Sequence, residues 1–248
     1  MRLLGLLLAA AILIALPFFT TGYVIYLANI LLTFTVLCLG LHIVIGEAGQ
    51  FSLAHAAFYG IGIYVSGILG TKFGVPFPLT MLLGGLVAAV LGLVIGMLAL
   101  RMRDIYLALA TFAFGEAMQW VFLNWDSVTN GPNGMRIAPA WFFGRELVTD
   151  KDAYPVVVLC ALAMIALTIL ISRARLGRAF RAVRESEVAA QAMGIPVQRA
   201  KLMAFSLSAF FAGVAGGMFT LFSTFIHPES LGFSTTMLAL TMVVVGGL

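Results

Sequence analysis

Apolar runs long enough to cross a bilayer follow one another along almost the whole chain, and no other feature limits the fold so tightly. A spanning helix needs about 20 apolar residues, within a range of roughly 17–25. Runs of this kind lie near 3–19, 23–45, 51–70, 77–100, 105–123, 153–172 and 202–226, and an eighth begins near Thr235. The alternation of a membrane β-barrel is absent, so the runs read as helices. Hydrophobic residues make up 62% of the 248 and charged residues 10%, against about 25% charged in a soluble domain. That apolar surplus must face lipid. The expected fold is all-α, a single polytopic membrane bundle over 1–248 with about eight hydrophobic segments, the last of them incomplete.

The first run, LLGLLLAAAILIALPFF, is longer than a signal-peptide core and has no A-x-A-like site after it, so it reads as a retained span. With the N-terminus inside, ten basic residues fall on the cytoplasmic side: Arg2, Arg101, Arg103, Arg173, Arg175, Arg178, Arg181, Arg184, Arg199 and Lys201. Only Lys72, Arg136, Arg145 and Lys151 fall outside, in the sense of the positive-inside rule. The net charge of +4 is thereby accounted for by topology and membrane lipid, and no nucleic-acid partner is expected. Cys38 and Cys160 stand singly in apolar runs, with neither disulfide nor metal spacing. From Thr235 the last run has fourteen residues, roughly 21 Å of helix against about 30 Å of hydrocarbon. It is expected to stop in mid-membrane, through truncation or because a neighbour completes it.

Small residues recur at four-residue spacing. Gly84, Ala88, Gly92 and Gly96 form one stripe, and Ala204, Ser208, Ala212 and Gly216 another. Such stripes let helix backbones approach closely. They serve packing within this bundle or contact with a second membrane subunit, and spacing alone does not choose.

Polar residues interrupt the apolar pattern at GEAGQFSLAHAAFYGIG, 46–62. Ser52, Ala56 and Gly60 share one spacing, as do Gly62, Ser66 and Gly70, so the run after Gln50 reads as a helix with two close-packing faces. GEAGQ before it reads as a cytoplasmic turn, with Glu47 a solvated loop acid. Ionisable and polar groups inside a membrane face the bundle interior or a wet cavity. The candidates for a translocation path are Gln50, Ser52, His55, Thr111 and Glu116, with His42, Glu47 and Gln119 beside them. Ser52 and His55 lie three residues apart, yet no third orienting group or nucleophile elbow accompanies them. No catalytic residue and no metal site is assigned.

The longest soluble stretches are 124–152, read as an external loop, and 173–201, read as cytoplasmic. SRARLGRAFRAVRESEVAAQAMGIPVQRAK, 172–201, carries seven basic and two acidic residues. Arg178, Arg181, Glu185 and Ala189 approximate one face of a short helix, with Val183, Val188, Ala192 and Met193 supplying an apolar face. Gly194 ends that helix and Pro196 follows. Topology alone explains the arginines, but a rigid, protein-docked helix explains the apolar face and the sharp stop as well. In 124–152, TNGPNG is turn chemistry, and Trp125 marks an interface.

Three of these segments together resemble a known family. RLGRAFRAVRESEVAAQAMGI is similar to the cytoplasmic coupling loop of ABC-importer permeases for branched-chain amino acids. GEAGQFSLAHAAFYGIGIY and SVTNGPNGM resemble two further hallmarks of the same permeases, in the same order. The likeness is to the M-type and runs from about Tyr23 to the end, although such permeases continue past VVVGGL with a further span. The resemblance implies an importer driven by a separate ATPase subunit, which binds ATP and Mg; this chain, without a G-x-x-x-x-G-K-[ST] loop, needs no cofactor of its own. It implies that Arg178, Arg181, Arg184, Glu185, Glu187 and Gly194 couple to that ATPase. It also implies a homologous second permease subunit, an external solute-binding protein and residence in the bacterial inner membrane. An ion-gradient-driven secondary transporter is the alternative, since broken helices at Gly46–Gly49 suit it too.

Overall fold

The computed structural model describes residue 17 and residues 20–247, apart from 101, 103, 143 and 144. The expected span 3–19, but for Pro17, and Arg2, Arg101 and Arg103 lie outside the described residues. The chain is all-helical in its core. Its helices are α1 (Gly22–Leu41, prolonged by a π-helical turn His42–Glu47), α2 (His55–Phe73), α3 (Phe77–Ala99) and α4 (Asp104–Asn124), then the short α5 (Asp126–Thr129). After them come α6 (Asp150–Arg173), α7 (Arg175–Glu185), α8 (Glu187–Ala192), α9 (Val197–Phe219) and α10 (Phe233–Gly246). Two minimal antiparallel sheets close one end of the bundle. One pairs β1 (Met135–Arg136) with β4 (Phe225–Ile226), the other β2 (Ala140–Phe142) with β3 (Arg145–Leu147). The opposite end carries α7 and α8 with their arginines. We refer to these as the sheet end and the basic end.

Helix α9 runs through the middle, in contact with α1, α2 and α3. Its small residues make this possible. A methyl group on Gly92 of α3 would lie 2.5 Å from Cβ of Ala209, and one on Gly213 would lie 2.7 Å from Cβ of Ala88. A side chain on Gly62 of α2 would overlap the Gly213 carbonyl, and one on Gly216 the Tyr59 carbonyl. Both small-residue stripes are therefore consumed inside this chain. Ala204, Ser208, Ala212 and Gly216 are all buried, and Gly84, Gly92 and Gly96 meet α2 or α9. The outer face of α3 is the reverse: Leu79, Leu82, Leu86, Val90 and Val94 are exposed, as a lipid-facing surface requires.

Among the described residues, five helices are long and apolar enough to cross a membrane: Gly22–Glu47, Phe77–Leu98, Ile105–Asn124, Asp150–Arg173 and Val197–Phe219. The chain is thus a multi-pass membrane protein. Helix α2 is not among the five, because it is buried along most of its length and need not be apolar enough for lipid. Helix α2 and the 14-residue α10 lie where two more of the expected segments fall, but the expected count of about eight is not reached among the described residues. Both ends of the second-to-last span differ from expectation. The second-to-last span ends at Phe219 rather than near 226, where Thr220 Oγ1 turns back to donate to Gly217 O at 2.7 Å and the apolar residues beyond enter the loop to β4. It also begins at Val197, ahead of the polar residues that hide its first turns from a hydropathy scan.

Helix α10 has 14 residues. It starts inside the bundle, with Gly232 against Gln119 and the Phe233 ring 5.1 Å from that of Phe112. It ends at Gly246, which lines the same cavity as His42 near the basic end of α1. The loop 220–232, with β4 and a 3-10 turn at Pro228–Leu231, joins α9 to α10.

The α2–α9 seam yields a direct test. Gly62→Ala forces two backbones apart and should cost about 1–3 kcal/mol, seen as a lower melting temperature in detergent. Gly70→Ala, on the same helix but with open space around it, should not; equal losses from both would refute the seam.

Candidate functional site at the basic end

At its basic end α1 widens from α-helix into a π turn, His42–Glu47. Backbone N–H groups of Ala48 and Gln50 reach back to the carbonyls of Ile43 and Val44, at 3.1 and 2.9 Å. Gly46 is required, since a Cβ there would lie 2.6 Å from Nδ1 of His42. Gly49 has φ +66° and lies against the Arg184 side chain, where a Cβ would come within 2.9 Å of Cγ. An L side chain is disfavoured there on both counts.

Glu47 is not a solvated loop acid. It is 7% exposed and accepts a hydrogen bond from Ser172 Oγ at the end of α6, while Arg181 Nη1 stands 3.8 Å from the same oxygen. Arg181 Nη2 also donates to the Ser172 carbonyl at 3.0 Å, and Arg184 Nη1 donates to the Gly46 carbonyl. Burial of an acid at this depth is tolerable because a guanidinium and a hydroxyl face it. One carboxylate and two arginines of α7 thus tie the ends of α1 and α6 together. The sequence alone does not give Glu47 this structural role, because its partner Ser172 is 125 positions away.

The segment expected as one helix from Arg178 to Gly194 is two. Ser186 breaks it with extended backbone, and its Oγ accepts from the Ala189 N–H at 3.3 Å as an N-cap for α8. The cap competes with helix continuation, which is why serine favours such positions. The stop at Gly194 is as expected: φ is +78°, and the Ile195 N–H returns to the Ala190 carbonyl at 3.0 Å. The apolar face divides at the break. Phe180 and Val183 of α7 are buried, whereas Val188 is 80% exposed and Met193 82%. Ala192 is exposed too. Arg178 turns back onto the Arg173 carbonyl at 3.0 Å, and Glu185 is exposed. Glu187 Oε1 lies 2.6 Å from Nζ of Lys201, which is 6% exposed on α9. A cavity of about 490 Å³ lies between α1 and α10, and another of about 280 Å³ lies at the basic end, lined by Gln50, Phe51, Val188 and Lys201.

The expected path residues do not converge on one cavity. Helix α2 starts at His55, so Gln50 and Ser52 lie in the extended break before it rather than on its face. His55 is fully buried, and its Nε2 lies 2.9 Å from the Leu37 carbonyl; since a carbonyl only accepts, Nε2 carries the proton. Thr111 Oγ1 accepts the Leu53 N–H at 3.0 Å, and Thr236 Oγ1 accepts that of Ala56 at 3.1 Å. These side chains take two of the backbone N–H groups freed at the break, as irregular backbone inside a bundle requires. Ser52 is buried, and Gln50 is half-buried. Glu116 is exposed on α4 and has no hydrogen bond or ion pair to another described residue. Thr236, which no sequence signal singled out, completes the set. Among the described residues no group of His, Cys, Asp and Glu could hold a metal ion.

The sequence profile described as branched-chain amino acid transport system / permease component matches residues 23–248. The high-affinity branched-chain amino acid permease protein LivM of Escherichia coli K12 is 34% identical over 260 aligned positions, covering 95% of this chain and 61% of that protein. LivH of Salmonella typhimurium LT2 is 28% identical over 87% of this chain and 75% of its own length. A probable ABC transporter permease protein of Sinorhizobium fredii NGR234 is 29% identical over 56% of this chain. The chain therefore spans about three-fifths of the length of the LivM relatives it matches. No solved structure matches it.

Thr111→Val keeps the shape of the side chain and removes the acceptor for the Leu53 N–H. Leaving that buried donor unpaired should cost about 1–3 kcal/mol, read as a lower melting temperature with apparent solute affinity unchanged. A change in affinity at full stability would instead place Thr111 in the solute's path.

Proposed function

The chain belongs to the branched-chain amino acid transport permease family, and on that premise we propose that it is the membrane-spanning subunit of an ABC importer for branched-chain or related amino acids. The observation that carries this reading is the corner between α7 and α8. Helix α7 spends its apolar face, Phe180 and Val183, inside the molecule. Helix α8 does the opposite, holding Val188 and Met193 out beside Glu185 beyond the ends of the spans. Exposed apolar side chains rimmed by charge on a rigid support mark a protein interface. The partner that this family's chemistry calls for is an ATPase, since the sequence carries no phosphate-binding loop of its own.

In this scheme the basic end faces the cytoplasm, in keeping with its arginines. The ATPase receives the α7–α8 corner, with Arg178, Glu185 and the Glu187–Lys201 pair at its edge and Gly194 closing it. The loop 173–201 is covalently continuous with α6 and α9, so a rigid displacement of the corner moves both. The 124–152 loop at the sheet end is then external and receives a solute-binding protein. Its stiffness comes from the TNGPNG turn, where Asn130 Nδ2 donates to the Gly134 carbonyl at 2.7 Å. A homologous permease completes the membrane portion. Of the five path candidates, Gln50 and Glu116 keep polar ends available to a solute, while Ser52, His55 and Thr111 shape the break beside them. An ion-driven carrier has no use for an outward apolar corner at this end, and the secondary-transporter alternative gains no support.

Val188→Asp with Met193→Asp should abolish copurification of the ATPase and lower uptake of labelled leucine about a hundredfold or more, as loss of two interface anchors does, with membrane insertion intact. An ATPase that still copurifies at full yield would overturn the docking site.

A further inference from the structure

Covalent continuity lets the α7–α8 corner pull on α6 and α9, but it gives no hold on α1. The structure supplies one through Glu47. This acid lies at the C-terminal end of α1, where the helix dipole disfavours negative charge, so it is not there to stabilise the helix. It fills no apolar space either. Its surroundings are Ser172 of α6 and Arg181 of α7, with Arg184 on the adjoining Gly46 carbonyl, and its second oxygen has no partner among the described residues. Drawing the arginine away would leave a buried carboxylate uncompensated, which is strongly unfavourable. The end of α1 and the corner therefore move together more readily than they part. The π turn suits such a joint, because a single-turn π segment holds an extra residue in the helix and recurs at functional sites.

What α1 would move is the wall of a cavity. Leu31, Phe34, Cys38 and His42 of α1 face Met242 and Gly246 of α10 across about 490 Å³. We propose that Glu47 is a positioning residue that makes α1, and with it this cavity, follow the displacement of α7. The inference rests on the reading of the α7–α8 corner as an ATPase dock.

The test uses the complete transporter in proteoliposomes, in a Cys160→Ala background, with two thiol reporters labelled by a maleimide. Native Cys38 reports on α1, and Leu170→Cys, near the basic end of α6 and 66% exposed, reports on α6. With the native Glu47, trapping the ATPase with ADP and vanadate should change the labelling rate at both positions. In Glu47→Gln the change at Cys38 should vanish and that at Leu170→Cys persist, while uptake falls about tenfold, the scale of one charge-assisted hydrogen bond, and ATP hydrolysis continues. Glu47→Asp should restore part of the Cys38 response, which a mere loss of stability would not allow. Should Glu47→Gln fail to assemble, Arg184→Gln severs the other half of the tie from an exposed side chain and must show the same asymmetry. A Cys38 response that survives in the variants, or the loss of both responses together, overturns the inference. Absence of any response at both positions with Glu47 intact defeats the docking reading itself, and the inference with it.

Discussion

Everything in this bundle is arranged around how closely α9 is approached by its neighbours. In lipid there is no gain from hiding apolar surface, so helices associate through packing and interhelical hydrogen bonds. Here the packing is backbone on backbone: Gly62 and Gly216 leave no room for a Cβ, and Gly92 and Gly213 leave less than one normal contact. With α9 clamped between α2 and α3, both of those helices can be polar or small on their inner faces. The lipid-facing apolar load passes to the outer face of α3 and to α4, whose window is only 17% buried.

That clamp also permits the broken segment between α1 and α2. Residues 50–54 leave the helical hydrogen-bond ladder, and their backbone groups cannot be left to hydrocarbon. Thr111 from α4, Thr236 from α10 and the π-turn carbonyls of α1 receive the freed N–H groups, and the His55 ring binds the Leu37 carbonyl. A polar cluster that looks like enzyme chemistry in one dimension is here the accounting for a missing turn.

How much of this is legible from sequence depends on whether the signal is local. Apolar runs locate α1, α3, α4 and α6 to within a few residues, because lipid exposure demands the same composition throughout each helix. They misplace the ends of α9, where polar Gln198, Arg199 and Lys201 open the helix, and where Leu221 and Phe222 belong to a loop and Phe225 and Ile226 to β4. The glycine at 194 announces its own left-handed stop. Ser186, by contrast, lies in a stretch whose charge pattern continues smoothly across it, and only the observed cap shows the break. Glu47 is the least legible of all. Its partners are a serine and an arginine more than a hundred positions away, and a glycine-flanked acid between two spans reads as a solvated turn.

The arginines of α7 carry two requirements at once. As charges they hold this end of the molecule to one side of the membrane, and for that any solvated position would serve. Yet Arg181 and Arg184 are directed back at Ser172, Glu47 and Gly46, with carbonyls and a carboxylate that match the planar fork of guanidinium donors better than a lysine's point charge. Their inward contacts fix α7 against the helix ends and leave α8 as the element that projects. A corner free to swivel would dissipate any displacement imposed on it. By bonding α7 to two helix ends while capping α8 separately at Ser186, the chain makes one half of the corner part of the bundle and offers the other half to a partner.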